Sequence, residues 1–317
     1  MRNKFGLSVT GLVIAAVTTI LVLAMKPTAG QTPATPLPRT ADGKANLNGI
    51  WQAMNTANWN LETHAARPGL AVVDNPVGNQ VPAAAALALG AIAGVPGGLG
   101  VVEGEEIPYQ PWAAAKKREN FANALVRDPE VKCFTPGIPR ATYMPYPFQI
   151  VQGPNNIMMV YEFASANRTI HLGKVAPAPA DMWMGHSLGR WEGDTLVVDV
   201  TSQVEQTWFD RAGNFHSDAL HVIERYTPVS ADRLNYEATI EDPKVFTRPW
   251  KIRMPLYRHA EVDAQLFEYK CVEFVEELMY GHLRKRQLVK RWEGDLGEAG
   301  GTLIIDVTRR PTRMAKQ

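Results

Sequence analysis

The sequence predicts a mainly β protein: an antiparallel barrel or strongly curved sheet of about ten strands, with one amphipathic helix packed outside. Three observations lead there. Short runs alternate apolar and polar side chains with the period of a strand. In "RLNYEATIED", Leu234, Tyr236, Ala238 and Ile240 share one face, and Asn235, Glu237, Thr239 and Glu241 share the other. The links between such runs are of turn length and rich in Gly, Pro, Asn and Asp. Clear helical spacing belongs to "PYQPWAAAKKRENFANALVRDPE", where Trp112, Ala115, Ala122 and Leu125 recur.

The chain opens with "MRNKFGLSVTGLVIAAVTTILVLAMKPTAG", in which Arg2 and Lys4 precede an uncharged run that ends on the small residues Thr28, Ala29 and Gly30. That order reads as a secretory signal over residues 1–30, cleaved near Gly30 and Gln31. The run is also long enough to stay as an uncleaved anchor. No cysteine follows it, which excludes a lipid attachment there, and charges interrupt every later apolar segment outside the low-complexity stretch. No membrane span is therefore expected once the signal is gone.

Residues 31–45 are rich in Pro, Thr and Ala and read as a disordered leader. A single β-rich domain is expected over 46–310, followed by a tail at 311–317. "NLNGIW" supplies the first strand. The low-complexity insertion at 81–106 is almost uncharged until Glu103, and residues 83–93 have room for a short helix between Pro and Gly. It reads as a mobile insertion or a flap over an apolar opening, and equally as filler packed on the core. In the helix, Pro111 suits the first turn and Asp128-Pro129 ends it.

From Phe148 onward the pattern is that of strands. "FQIVQGPNNIMMVYEF" is strand, turn, strand, and "RTIHL" adds a third. "NIMMVYEF" is apolar on both faces up to Glu162, which implies a covered outer face, with the helix as its cover. "LGRWEGDTLVVDVT" is a tight hairpin turning at Glu192-Gly193-Asp194, with Leu196, Val198 and Val200 opposing Val197, Asp199 and Thr201. Further strands are expected at "ALHVIERYT", "RLNYEATIED", "WKIRMPLYR", "LFEYKCVE" and "GTLIIDVT". "RWEGD" recurs at 291–295, before "TLIIDVT" and after a six-residue insertion. The echo fits a duplicated half-barrel, or simple reuse of a good hairpin turn. The unmatched flanks favour reuse.

Charge is nearly balanced, with 33 basic and 32 acidic residues, so nothing points to nucleic acid. Cys133 and Cys271 are the two cysteines of a chain read as exported, and a disulfide closing a very long loop is the natural reading. Two buried, inert thiols are the alternative. No phosphate loop, dinucleotide glycine pattern, haem cysteine pair or zinc cluster appears, so no cofactor is expected.

Taken together, "RWEGDTLVVDVT", "HSDALHVIERY", "IEDPKVFTRPW" and "LNGIW" resemble a large group of exported, functionally uncharacterised proteins of environmental bacteria, over about 46–308. The resemblance implies export and assigns no reaction. A weaker likeness is to lipocalin-like barrels, through Gly49-Ile50-Trp51 on the first strand. It implies that Arg309 or Arg310, after the last strand, covers the indole.

"TWFDRAGNFHSDALHVIERYT" holds the densest set of candidate groups. Its first half has the composition of a loop, and its second half is a strand. That strand places Ala219, His221, Ile223 and Arg225 on one face and Leu220, Val222, Glu224 and Tyr226 on the other. One reading is an acid–base site at a barrel mouth. His216 would be the base, oriented by Asp210 or Glu224, with His186 from "MWMGHSLG" as a partner. The other reading is a loop whose histidines hydrogen-bond locally and hold it to the rim. Ser217 lacks a nucleophile elbow, the His216–His221 spacing matches no familiar zinc pattern, and a metal held by His186, His216 and a carboxylate is a minor alternative.

Asp242 and Arg248 are expected to satisfy turn backbone or to pair with each other. Candidates for lining a ligand site are Tyr143, Tyr146, Met159, Tyr161, Trp208 and His221. The leading functional expectation is a periplasmic or secreted barrel that binds a hydrophobic or amphipathic small molecule. The alternatives are a cofactor-independent lyase, isomerase or hydrolase using His216, and an envelope interaction protein without a pocket.

Overall fold

The computed structural model describes residues 37–67, 72–74, 80–82, 95–275, 278, 292–295 and 302–305. The signal segment, residues 83–94 of the insertion, Arg309, Arg310 and the tail lie outside them. Nine strands close into a barrel. They are β1 (Gly49–Ala53), β4 (Phe148–Gln152), β5 (Asn156–Tyr161), β6 (Asn167–Leu172), β7 (His186–Glu192), β8 (Thr195–Thr201), β9 (His221–Ser230), β10 (Arg233–Glu241) and β11 (Trp250–Arg258). Around the barrel the order is β1-β11-β10-β9-β8-β7-β6-β5-β4, and β4 returns to β1. Two short hairpins stand apart from it: β2 (Val72–Asp74) with β3 (Gln80–Pro82), and β12 (Trp292–Asp295) with β13 (Thr302–Ile305).

The predicted alternation is the inside–outside pattern of this barrel. Val222, Glu224 and Tyr226 of β9 and Leu234, Tyr236, Ala238 and Ile240 of β10 are buried, and the residues between them face outward. Ile252, Met254 and Leu256 of β11 and Leu196, Val198 and Val200 of β8 complete that wall. Closure removes the edge strands that an open sheet would expose. In the β7–β8 hairpin, Glu192 pairs with Thr195 across Gly193-Asp194, and Gly193 takes the positive φ such a turn requires.

Several expectations change. One of the barrel pairs, β6 with β7, is parallel, because residues 173–185 cross over instead of turning back. β5 buries Ile157, Met159 and Tyr161 but leaves Met158 47% exposed, so its apolar outer face is not covered. The helix α1 (Pro111–Ala122) is present, yet it buries Ala113 and Asn120 and leaves Trp112 and Ala122 exposed. Its packing partner is a loop, not a broad apolar face. Gly213 lies so close beneath it that an added Cβ would sit 2.6 Å from the Phe121 amide nitrogen, and the glycine φ is positive.

"LFEYKCVE" forms no strand. Phe267 is exposed, its amide donates to Glu162, and the segment is anchored instead by Cys271. Part of the leader is ordered: Arg39 bridges Ala45 and forms an ion pair with Asp194, and Ala45 is buried. The second "RWEGD" does not repeat the first hairpin, because Gly294 and Asp295 now lie inside β12 and pair with Leu303 and Thr302.

Trp51 is fully buried, its indole nitrogen donates to the Leu47 carbonyl, and an arginine covers its ring. That arginine is Arg258 at the end of β11, 4.3 Å from the ring centroid. Its guanidinium also donates to the Asn48 and Ala231 carbonyls. Gly49, at φ +136°, leaves the space that Arg258 occupies.

Cys133 and Cys271 form a disulfide with a Cα separation of 5.7 Å, across 138 residues of sequence. Such a bridge suits an oxidising compartment. Among the described residues, no helix is long and apolar enough to cross a membrane.

Candidate functional site

The barrel lumen is filled by side chains around a buried ion pair. Arg168 on β6 donates from Nη1 to Glu224 Oε2 at 2.6 Å, and from Nη2 to the Tyr226 hydroxyl at 3.0 Å and Met159 Sδ at 3.2 Å. Tyr226 and Tyr236 both donate to Glu224 Oε1, at 2.9 and 2.8 Å. Burial drives the Tyr161 hydroxyl up to about 12, against the pull of the Arg168 charge and with the push of Glu224. Burial lowers the Arg168 guanidinium and the Glu224 charge more than reverses that, so Arg168 is permanently charged. Met159 and Tyr161, read as ligand-lining, are parts of this packed interior.

The groups of the "TWFDRAGNFHSDALHVIERYT" stretch do not converge. His216 is 3% exposed; its Nδ1 faces the Ser217 carbonyl at 2.8 Å and its Nε2 faces the Thr207 hydroxyl at 2.6 Å. A carbonyl only accepts, so Nδ1 carries the proton and Nε2 accepts from Thr207. Burial holds the ring below the usual histidine range, outweighing the Ser217 carbonyl and the Asp242 charge. His216 is thus a neutral imidazole with both nitrogens occupied, and neither Asp210 nor Glu224 touches it.

Asp210 instead builds the loop. It is fully buried and accepts from the Leu61 amide at 2.8 Å, the Ala212 amide at 2.9 Å, and the amide and side chain of Asn214 at 3.2 and 2.6 Å. Burial raises its carboxyl to about 6, against the bonds from Asn214 and Leu61. Ser217 donates to Asp242 at 2.9 Å, and Asp242 also accepts from the amides of Ser217, Lys244 and Val245. It satisfies a turn, as expected, without pairing with Arg248, which donates to the Pro249 carbonyl.

The remaining candidates are scattered. His221 lies on the outer wall between Glu241 at 3.0 Å and Asp199 at 3.2 Å. His186 stacks on His171 with ring centroids 5.6 Å apart, at the parallel β6–β7 pair, and its buried Nε2 has no hydrogen-bond partner among the described residues. Tyr143 is buried and donates to the Phe209 carbonyl at 2.8 Å. Tyr146 packs on Phe163 and Tyr269, and Trp208 is buried and bridges Phe215. Among the described residues, no group of three or more His, Cys, Asp or Glu side chains is placed to hold a metal ion.

A concave space lies elsewhere, outside the barrel wall. It is a cleft of about 540 Å³ lined by Trp59, His64, Arg67, Lys117, Arg118 and Phe121, with Asn60, Val95 and Ala212. Three walls form it, in order the stretch 59–67 with Val95 bridged to it, the loop at Ala212, and α1, and Asp210 and Gly213 hold them together. Asp210 joins Leu61 of the first wall to Ala212 of the second. Gly213 lets α1, which carries Lys117, Arg118 and Phe121, meet that second wall. The first wall is further fixed by the backbone bridges His64 to Gly98 and Arg67 to Val95.

A second buried ion network reaches Trp59 through Arg211. Arg140 pairs bidentately with Asp128 at 2.7 and 2.9 Å and with Glu130 at 2.5 Å, and its Nε donates to Asn58. Arg211 holds the other side of Glu130 at 2.8 and 2.7 Å and lies 5.8 Å from the centroid of the Trp59 ring. Burial pushes the Glu130 carboxyl up, but the charges of Arg211 and Arg140 outweigh it and hold the group at about 2.

Sequence reasoning missed this cleft. Its residues fall in four separated segments, and the one local signal was that Arg118 and Phe121, three apart on a helix, share a face that is not the buried one. No family model matches the chain, and no curated protein matches it either.

Proposed function

We propose that the chain is an exported small-molecule-binding protein that takes an amphipathic ligand in the cleft formed by Trp59, Arg67, Arg118 and Phe121, outside the barrel lumen. One observation carries this reading. The lumen is occupied by Arg168, Glu224 and their tyrosines, whereas the cleft is open, of a size found for small-molecule sites (~300–1,000 Å³), and mixes aromatic with polar lining. The disulfide supports export into an oxidising compartment such as the periplasm.

The His216 acid–base reading has less support, because both ring nitrogens are already engaged with Thr207 and Ser217. The test is native mass spectrometry on protein prepared from its own envelope fraction, beside an Ala65→Trp variant. Ala65 is an exposed cleft residue whose enlargement fills the space without entering the core. The expected result is an adduct that leaves on denaturation and is absent from the variant. An adduct retained by Ala65→Trp, or no adduct on either protein, overturns the assignment.

A further inference from the structure

We infer that the cleft selects an aromatic carboxylate, with the carboxylate held between Arg67 and Arg118 and the ring lying against Trp59. This deepens the proposed function and rests on the cleft being the ligand site. The charge inventory leads to it. Glu62 is the carboxylate at this place, and it is already engaged: Oε2 accepts from Lys117 Nζ at 2.8 Å and Oε1 from the Ile107 amide at 3.3 Å. Lys117 is therefore neutralised. Arg67 and Arg118 form no ion pair among the described residues and carry the cleft's uncompensated charge.

The polar groups of the lining point the same way. Asn60 Oδ1 accepts from the Glu62 amide at 3.1 Å, which leaves its Nδ2 as a donor. His64 Nδ1 lies 2.7 Å from the Glu62 carbonyl and so carries the proton, while Nε2 is buried without a partner among the described residues. An added Cβ on Gly98 would sit 3.2 Å from that Nε2, so the nitrogen faces the backbone and not the open cleft. The Asn60 Nδ2 and the Arg67 and Arg118 guanidinium groups are donors, and the ligand group that matches them is an acceptor with negative charge.

The guanidinium of Arg67 is prearranged. Its backbone is held by paired bonds with Val95 at 2.8 and 2.9 Å, and its charge lies 4.8 Å from the Phe121 ring centroid. A planar guanidinium receives a carboxylate through two parallel bonds. Trp59, backed by Arg211, supplies a flat apolar surface for a ring.

The experiment is isothermal titration of the full protein with four probes of one shape. They are 2-naphthoate, neutral 2-naphthalenemethanol, cationic 2-naphthylmethylamine and dianionic 2-naphthyl phosphate. Naphthoate should bind saturably, roughly tenfold or more tighter than the neutral and cationic probes, and at least as tightly as the phosphate. Arg118→Ser and Arg67→Ser should each weaken naphthoate by roughly tenfold and leave naphthalenemethanol unchanged, while Trp59→Leu weakens both. Arg233→Ser, an exposed arginine of β10, controls for net charge and should change nothing.

Equal binding of the neutral probe, tighter binding of the phosphate, or indifference to Arg118→Ser overturns the carboxylate assignment. If those probes still lose affinity in Ala65→Trp, the cleft remains the ligand site and only its selectivity is wrong. No saturable binding by any probe also overturns the carboxylate assignment, and the adduct measurement then decides the cleft independently.

Discussion

Replacing Glu224 by Gln tests whether charge holds the barrel lumen together. Glu224 is fully buried and accepts from Arg168, Tyr226 and Tyr236. Glutamine keeps the volume, and its oxygen still accepts from both tyrosines. Its amide then faces the Arg168 donor, and a guanidinium that is 4% exposed loses its counter-ion. Breaking such a pair on one side costs about 3–5 kcal/mol. At roughly 3 °C per kcal/mol for a chain of this size, Tm falls by about 9–15 °C.

Arg168→Met should cost less, about 2–4 kcal/mol, because the carboxylate keeps its two tyrosine donors. The double variant removes both charges and should cost less than the two singles together by about 2–3 kcal/mol. Guanidinium unfolding followed by tryptophan fluorescence and far-ultraviolet circular dichroism gives each value, provided that the m-value is unchanged. Two outcomes refute the reasoning. One is a Glu224→Gln cost below about 1 kcal/mol; the other is additivity of the singles within about 0.5 kcal/mol.

The remaining predictions concern the disulfide and acid. Replacing Cys133 and Cys271 by Ser frees a closed loop of 138 residues, for which the chain-entropy relation gives about 5 kcal/mol as an upper value; denaturant midpoints of the oxidised, reduced and Ser-substituted proteins check it, and equal midpoints would dismiss it. The Glu130 carboxyl is held at about 2 in the fold against an ordinary 4.5. Its contribution is fully present above pH 4.5 and is lost as pH falls through about 2, roughly 3 kcal/mol in all. Unfolding free energies measured from pH 7 to 2.5 should fall along that window, and Glu130→Gln should start lower and follow a flatter course.

What the sequence made legible is what the period of two carries. Leu234, Tyr236, Ala238 and Ile240 are buried as their alternation requires, and Glu224 shares the inward face with Val222 and Tyr226. Local patterning cannot say which strand closes on which. The parallel β6–β7 pair depends on the crossover 173–185, "GKVAPAPADMWMG", whose composition says only that it is irregular. The arginine over Trp51 illustrates the same limit. Arg258 and the tail arginines are equally good cations, and only the β1–β11 register, Trp51 opposite Arg258, chooses between them.

The site fared worse for a physical reason. Chemistry-bearing residues that are close in sequence, such as Asp210, His216 and Glu224, satisfy local backbone or enter different compartments, because a loop must first pair its own buried polar groups. Asp210 spends its acceptors on Leu61, Ala212 and Asn214, and His216 spends both nitrogens on Thr207 and Ser217. The groups left with unspent charge, Arg67 and Arg118, stand 51 positions apart in sequence and meet through tertiary contacts alone. Even so, the dense stretch matters to them. The four bonds into Asp210 seat Leu61 against Ala212, and the positive φ of Gly213 admits α1. Of the residues that the sequence singled out for chemistry, Asp210 is, in this fold, the one that sets the walls of the cleft.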